Sequence, residues 1–287
     1  MPGPDGAEGH AVSKILIVDD DRATRHLLQR LLIRAGFHAA VARDGAVALS
    51  VLRSRRFDLM LLDVWMPRMN GLELLARLQG RKTRPRVVMM TSDDTPETTL
   101  RAVREQAFDY LHKPVEPLAL LEAVRKALKA PPSLPAIEVA SARPDWVELV
   151  VPCTREAADR IQGFLARLET DLALEVREAV GYAFRELLLN AVEWGGKLDP
   201  NHKVRIAYLR GRRMVLYRIA DPGPGFKMDD LPHAAIAHPD NPIEHMNVRE
   251  EKGLRPGGFG ILMVKAKVDE LIYNEKRNEV VFVKYLD

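Results

Sequence analysis

The sequence predicts a doubly wound α/β domain with a parallel five-stranded sheet, followed by an α+β domain of two layers. From Lys14 to about Ala130, short apolar runs alternate with helical patterns, and this alternation is typical of parallel sheets covered by helices. Prolines at 131–135 end that pattern, and the second half has longer helical stretches beside paired strands. The length of 287 residues also fits two domains.

The first half divides into elements of ordinary length. Strands are predicted at 14–19, 37–42, 58–63, 86–91 and 108–112, and helices at 22–35, 45–54, 71–79, 96–106 and 116–129. The first helix illustrates the pattern, because its leucines at 27, 28, 31 and 32 form one apolar stripe and Gly36 follows as a stop. Parallel strands place their carboxyl ends at one edge of the sheet, where sites form.

The second half follows a proline-rich linker predicted at 131–145, and residues 1–13 are predicted to be a flexible tail. The turn at 210–212 predicts a hairpin. Segment 227–255 has little periodicity, and a loop of that length is more often functional than idle. The elements predicted from residue 146 onward are strand 146–151, helices 154–168 and 173–194, strands 203–209 and 213–220, helix 259–268, and strands 270–274 and 279–285.

Composition excludes several classes of protein. The hydrophobic content of 47% and the charged content of 29% are ordinary for globular domains, and a net charge of +3 gives no argument for nucleic acid or an anionic membrane. No apolar stretch approaches the ~20 residues that span a bilayer. Cys153 is alone, so no internal disulfide can form and a reducing compartment fits. We therefore expect a cytoplasmic protein that binds neither nucleic acid directly nor membranes.

Polar residues stand at the predicted strand ends of the first half. They are Asp19 and Asp20 after the first strand, Asp63 at the third, Thr91 at the fourth and Lys113 after the fifth. Three carboxylates at one sheet edge repel each other unless a cation lies between them, and oxygen ligands of this kind suit Mg²⁺. The metal and the ammonium can offset the charge of a phosphoryl group while a carboxylate attacks phosphorus in line.

Residues 14–130 closely resemble the receiver domain of two-component response regulators, a flavodoxin-like fold. The resemblance implies that Asp63 accepts a phosphoryl group from an upstream histidine kinase and that Asp19, Asp20 and Asp63 surround Mg²⁺. It also implies that Thr91, Lys113 and Tyr110 occupy switch positions. By the same resemblance, a homodimer would form through the face at 96–129.

Three short motifs of the second half suit a nucleotide. They are Glu186 with Asn190, Asp221 with Gly223 and Gly225, and Gly258 with Gly260. The first pair lies four residues apart and so shares a helix face. In the second motif, glycines let the backbone approach a ligand while the carboxylate accepts hydrogen bonds. In the third, a glycine-rich turn that opens a helix presents N–H groups to phosphate.

In this order and spacing, the motifs of residues 146–287 resemble the N, G1 and G2 boxes of the GHKL ATP-binding fold, and within it the anti-sigma-factor serine kinases. The resemblance implies that Asn190 holds Mg²⁺ against ATP, that Glu186 is a general base and that Asp221 accepts from the adenine amino group. Gly223 and Gly225 would shape the adenine side, and Gly258 and Gly260 would lie under the phosphates. The chain departs from the pattern at Trp194, at Asn278-Glu279 and in the long lid, 227–255.

Two functions stay open on the sequence. One is a serine/threonine protein kinase, gated by its own receiver, that acts on a partner resembling the anti-anti-sigma proteins. The other is a binding module that uses ATP to shape a surface and sequesters a sigma factor or another partner. Loss of Glu186 would abolish a kinase and would leave sequestration intact.

Two further functions fit poorly. A hybrid sensor histidine kinase needs a histidine on a two-helix dimerisation hairpin before the ATPase domain. No histidine occurs in 131–145 or in the helices at 154–194. A DNA-binding output needs a helix-turn-helix or a basic recognition helix, and no such pattern follows the receiver.

Overall fold

A computed structural model describes residues 12–81, 83–92, 95–131, 135–143, 145–226 and 259–286. These residues form two compact units. The first contains the described residues up to 92 together with Ala107–Ala130, and the second contains 95–106 with the described residues from 131 onward. The predictions for the lid at 227–255, for Gly258 and for most of the tail lie outside the described residues.

The first unit is built on five parallel strands in the order β2-β1-β3-β4-β5, which confirms the predicted α/β class. Its strands are β1 (Lys14–Val18), β2 (His38–Ala42), β3 (Leu59–Asp63), β4 (Arg86–Thr91) and β5 (Asp109–His112). Its helices are α1 (Arg22–Arg34), α2 (Gly45–Ser54), α3 (Gly71–Arg77) and α5 (Pro117–Lys129). The helix between β4 and β5, α4 (Pro96–Arg104), belongs to the second unit.

Burial and capping explain why these elements form. In β1 and β3, the aliphatic side chains are fully buried, as expected of central strands covered on both faces. Three helices begin at a side chain that accepts a hydrogen bond from an otherwise unpaired N–H of the first turn. The side chain of Asp21 accepts from the Thr24 N–H at 2.6 Å, that of Asp44 from the Val47 N–H at 2.8 Å and that of Asn70 from the Glu73 N–H at 2.8 Å.

The second unit is a six-stranded antiparallel sheet in the order β10-β11-β9-β8-β7-β6, with helices, which confirms the predicted α+β class. Its strands are β6 (Glu138–Ala142), β7 (Trp146–Pro152), β8 (Lys203–Arg210), β9 (Met214–Ala220), β10 (Glu270–Tyr273) and β11 (Glu279–Tyr285). Its helices besides α4 are α6 (Arg155–Leu165), α7 (Leu174–Asn190) and α8 (Gly260–Lys267), with a 3-10 helix at Ala166–Glu169 and a π-helix at Ala191–Gly195. No helix among the described residues has both the length and the apolar character needed to cross a bilayer.

Strand β6 lies inside the segment that the sequence predicted as a linker. It pairs with β7 from Glu138 opposite Val150 to Ala142 opposite Val147, with an irregularity between Val139 and Ser141. The strand is short and lies at the sheet edge, so its apolar pattern is weak and its main-chain pairing with β7 defines it. Part of the predicted linker is therefore the edge strand of the second sheet.

Helix α4 packs within the second unit against β6, the 3-10 helix and α6. The side-chain amide of Gln106 fixes the chain just after α4. Its Nε2 donates to the carbonyl of Ile137 at 2.8 Å, and its Oε1 accepts from the Ile137 N–H at 3.2 Å. The Ile137 side chain is fully buried, so this amide pair completes the backbone hydrogen bonds of a buried position.

A buried carboxyl group lies beside the aromatic core of the second unit. The rings of Phe184, Tyr208 and Phe282 surround Tyr217 with centroid distances of 4.9–5.1 Å. The Tyr217 hydroxyl donates to Glu169 Oε1 at 2.6 Å. Burial raises the pKa of the Glu169 carboxyl to about 7, although the Tyr217 hydrogen bond opposes the rise.

We expect the second unit to lose stability as the pH rises from 4.5, the ordinary pKa of glutamate, to about 7. In this window folded Glu169 keeps its proton and unfolded Glu169 has lost it, so the unfolded state is favoured as the pH rises. The effect is on the order of 3 kcal/mol. Urea unfolding across that pH range should show this slope in the wild type and lose it in Glu169→Gln. Glu178→Gln, at an exposed position, is the matched control, and an unchanged slope in Glu169→Gln would contradict the assignment.

Candidate functional site

The first unit gathers three of its predicted site residues into an acidic pocket. One ligand oxygen from each of Asp19, Asp20 and Asp63 lies within 4.8 Å of the others. Asp19 and Asp63 are buried and Asp20 is exposed. The neighbouring strands β1 and β3 end at the same edge, which is why residues so distant in sequence meet here.

Lys113 joins two of these carboxylates. Its Nζ lies 2.7 Å from Asp19 Oδ2 and 2.7 Å from Asp63 Oδ2. Burial raises the pKa of the Asp63 carboxyl, and the Lys113 ammonium opposes that rise. Burial alone would lower the pKa of Lys113, but hydrogen bonds from its ammonium to both carboxylates outweigh it and raise the pKa. The ammonium therefore stays charged and stabilises the buried carboxylates.

Thr91 and Tyr110, which the sequence analysis placed at switch positions, are both buried in the structure. Thr91 follows Met90, the residue that pairs with Asp63, and its side chain is fully buried. The Lys113 N–H donates to the Thr91 carbonyl at 2.8 Å, which ties the end of β5 to the end of β4. Tyr110 is 3% exposed, so its ring lies inside the unit.

Gly71 is a residue of this site that the sequence did not single out. Its backbone N–H donates to the Val64 carbonyl at 2.8 Å, and a Cβ at this position would overlap the Asp63 carbonyl oxygen. Only glycine lets α3 begin so close to the end of β3. The signal was present in the sequence as Asn70-Gly71, a helix cap followed by a residue without a side chain.

The donor set of the acidic pocket fits a hard divalent cation. Its oxygens come from carboxylates, one of which is exposed and leaves room for water, as Mg²⁺ prefers. When bound, such an ion would offset charge on the oxygens of an incoming phosphoryl group. The pocket also offers Asp63 as a carboxylate nucleophile and Lys113 as a fixed positive charge.

The second unit forms another candidate site at the end of β9, around Asp221. Oδ1 of this half-buried carboxylate accepts from the Gly223 N–H at 2.8 Å, and burial raises its pKa against that hydrogen bond. A Cβ at Gly223 would lie 2.8 Å from Asp221 Oδ1 and 2.9 Å from the Gly195 Cα. Gly225 has a φ of 81°, and a Cβ there would overlap the Lys276 carbonyl oxygen. Glycine is therefore required along this loop.

Glu186 and Gly260 meet where α7 passes the beginning of α8. A Cβ at Gly260 would overlap the Glu186 Oε2, so glycine at this position admits the carboxylate. Asn190 follows one turn later on the same face of α7. Helices α7 and α8 pack against each other, which places Glu186 beside the first residue of α8. The structure thus brings Glu186 and Gly260 together, and separately Asp221 and Gly223.

Two further positions of this site gained a role only from the structure. Gly195, the last residue of the π-helix, lies against Asp221, because a Cβ there would overlap the carboxylate. Asn278, which departs from the expected pattern, donates from Nδ2 to the carbonyls of Asp221 and Gly223 at 3.3 and 3.2 Å. The Asn278 carbonyl also accepts from the Asp221 N–H at 2.9 Å. Asn278 therefore stabilises the loop that follows Asp221 through three hydrogen bonds.

Comparisons with known proteins match both halves. A model of the response regulator receiver domain matches residues 15–125, and a model of the histidine kinase-like ATPase domain matches residues 151–284. The DNA-binding response regulator MtrA of Mycobacterium tuberculosis (strain CDC 1551 / Oshkosh) is 34% identical over 183 residues, which cover 63% of this chain and 78% of MtrA. The response regulator MprA of Mycobacterium tuberculosis (strain ATCC 25177 / H37Ra) is 35% identical over 162 residues, covering 56% and 69%. Among solved structures, chemotaxis protein CheY4 of Vibrio cholerae is 32% identical and covers 41% of this chain and 100% of its own, with a TM-score of 0.39.

Proposed function

Because this chain belongs to the response regulator family and carries a histidine kinase-like ATPase domain, we propose that phosphorylation of Asp63 controls the ATP-binding output. The observation that supports this proposal most directly is that α4 packs within the second unit. Residues 95–106 lie within the matched receiver sequence, yet they pack in the second unit. One segment thus follows the acidic pocket in sequence and contacts the ATPase domain.

The phosphoryl step uses the groups of the acidic pocket. A histidine kinase is the donor that a receiver domain implies. An oxygen of Asp63 attacks phosphorus while the bond from phosphorus to the donor histidine nitrogen breaks, and that nitrogen keeps the electron pair. Lys113 can then pair with the phosphoryl oxygens, and the carboxylates of Asp19, Asp20 and Asp63 would hold Mg²⁺.

The signal passes along the chain that follows β4. A phosphoryl group on Asp63 changes the charge beside Thr91, the last residue of β4, and Lys113 is shared with the new group. Residues 95–106 belong to the second unit, where Thr95 is the cap of α4 and Gln106 binds the backbone of Ile137. A shift at the end of β4 therefore acts on α4, and α4 acts on β6 and on the 3-10 helix.

ATP occupies the site between α7, α8 and the Asp221 loop in this proposal. Asp221 accepts from the adenine amino group, Asn190 holds Mg²⁺ against the phosphates, and the beginning of α8 at Gly260 lies under them. The half-buried Asp221 carboxylate supports this reading, because it can accept a hydrogen bond from an amino group. The family model of the second half supports it too.

A kinase and a binding module remain the two candidate outputs. Glu186 lies beside the start of α8, where the terminal phosphate of ATP would lie, and it can take the proton of a serine or threonine hydroxyl. That position favours the kinase, with a partner that resembles the anti-anti-sigma proteins as its substrate. If the domain only sequesters a sigma factor or another partner, Glu186 has no chemical role.

We expect ATP with Mg²⁺ to raise the melting temperature of the second unit, because a ligand that binds only the folded state stabilises it. Asp221→Asn replaces an acceptor oxygen by a donor amide and should erase the rise. Thermal unfolding with and without millimolar nucleotide measures it, and Asp159→Asn, exposed on α6, is the control. A wild type that shows no rise would contradict the proposed site.

Labelled ATP distinguishes the kinase from the binder. We expect transfer of label to a serine or threonine of an anti-anti-sigma-like partner, and loss of transfer in Glu186→Ala with ATP binding retained, since the base is removed and the nucleotide contacts stay. Glu156→Ala, exposed on α6, is the matched control. Partner binding by calorimetry without any transfer in the wild type would favour sequestration instead.

A further inference from the structure

We propose that the side-chain amide of Gln106 couples the two domains, as a latch that joins the end of α4 to the backbone of Ile137. The inference rests on the proposed control of the ATP-binding domain by Asp63, and it assigns the residue that transmits the change. Gln106 belongs to neither the acidic pocket nor the proposed nucleotide site, so its role in this account is regulatory.

The backbone of Gln106 adopts a conformation that is unfavourable for glutamine. Its φ is 56°, in the left-handed region that residues with a side chain seldom adopt. Gln106 directly follows Glu105, the C-cap of α4, and helices most often place a glycine at this point. Strained positions of this kind cluster at functional and switch regions. The reason for a glutamine at this position therefore lies in what its side chain binds.

The Gln106 amide uses both of its N–H groups and its oxygen. Nε2 donates to the carbonyl of Val103, in the last turn of α4, at 3.3 Å and to the carbonyl of Ile137 at 2.8 Å. Oε1 accepts from the Ile137 N–H at 3.2 Å. One amide group thus ties the end of α4 to the residue that precedes β6.

The burial of Ile137 makes this latch an all-or-none contact. Ile137 is fully buried, so water does not replace a partner that its backbone loses. Opening the latch without a rearrangement would leave a buried N–H and a buried carbonyl unpaired, which is unfavourable. The segment before β6 must therefore move when the amide lets go, and β6 is hydrogen-bonded to the rest of the ATPase sheet through β7.

Gln106 also stands where the chain passes from the second unit back to the first. Gln106 is the last residue of its segment in the second unit, and Ala107 begins the next segment of the first. Strand β5 follows and leads to Lys113, whose Nζ lies 2.7 Å from Asp63 Oδ2. A phosphoryl group on Asp63 would draw on Lys113, at one end of β5, while Gln106 holds the chain before the other end.

Gln106→Gly separates the contribution of the amide from that of the backbone. Glycine adopts the left-handed conformation without strain, so the turn after α4 is kept while the latch is removed. Gln106→Asn also tolerates this conformation and keeps an amide, but the side chain is one methylene shorter and does not reach Ile137. Arg101→Ala, at an exposed position on α4, is the control.

Calorimetry with Mg²⁺–ATP on the full chain, with and without acetyl phosphate, measures the coupling. We expect phosphorylation to change the Kd about 5- to 150-fold in the wild type and in Arg101→Ala, and to leave it unchanged in Gln106→Gly and Gln106→Asn. Labelling of Asp63 should persist in every variant, because none of the substitutions lies in the acidic pocket. A wild-type change of Kd in Gln106→Gly overturns the inference.

Hydrogen exchange at the Ile137 amide gives an independent readout of the latch. Because this N–H donates to Gln106 Oε1, we expect its protection to be lost in Gln106→Gly and to change in the wild type on treatment with acetyl phosphate. Equal protection in the treated and untreated wild type overturns the inference. A wild type that is labelled but binds ATP with unchanged affinity refutes the proposed control as well, whereas coupling that survives in Gln106→Gly refutes the latch alone.

Discussion

Two buried carboxylates stand side by side at the end of the parallel sheet, and the Lys113 ammonium between them makes this arrangement stable. Burial raises the pKa of Asp63, and Lys113 counteracts that effect from 2.7 Å. Removing the ammonium would leave like charges together in a dry pocket, which is strongly unfavourable. In the proposed phosphoryl transfer, the same contact opposes protonation of the Asp63 carboxylate and holds a cation where phosphoryl oxygens would arrive.

The proposed control of the ATP-binding domain rests on a different observation, the division of the matched receiver sequence between the two units. Helix α4 follows β4 in the sequence, but its packing partners are β6, the 3-10 helix and α6. After α4, the side-chain amide of Gln106 forms two hydrogen bonds with the backbone of Ile137. In the proposed mechanism, a shift of the β4 end on phosphorylation would reach the second unit through the chain that leads to α4.

Much of this architecture could be read from the sequence, for physical reasons that particular residues illustrate. Aspartates after apolar runs predicted the acidic pocket, because parallel strands end at one edge, and Asp19, Asp20 and Asp63 do meet there. The sequence predicted a helix at 96–106 but carried no information about which elements pack against it. Strand β6 escaped prediction because a short edge strand is defined by its main-chain partner. The role of Asn278 depends on a carbonyl that lies 57 residues away in sequence, which no local pattern contains.

The most direct test of the proposed control is to measure the affinity for ATP before and after phosphorylation of Asp63. Calorimetry with Mg²⁺–ATP should be carried out on the full chain with and without acetyl phosphate, in the wild type and in Asp63→Asn. The account predicts a change in Kd of about 5- to 150-fold in the wild type, in either direction, and none in Asp63→Asn. If the wild type treated with acetyl phosphate binds ATP with unchanged affinity, the proposed coupling of the two sites is contradicted.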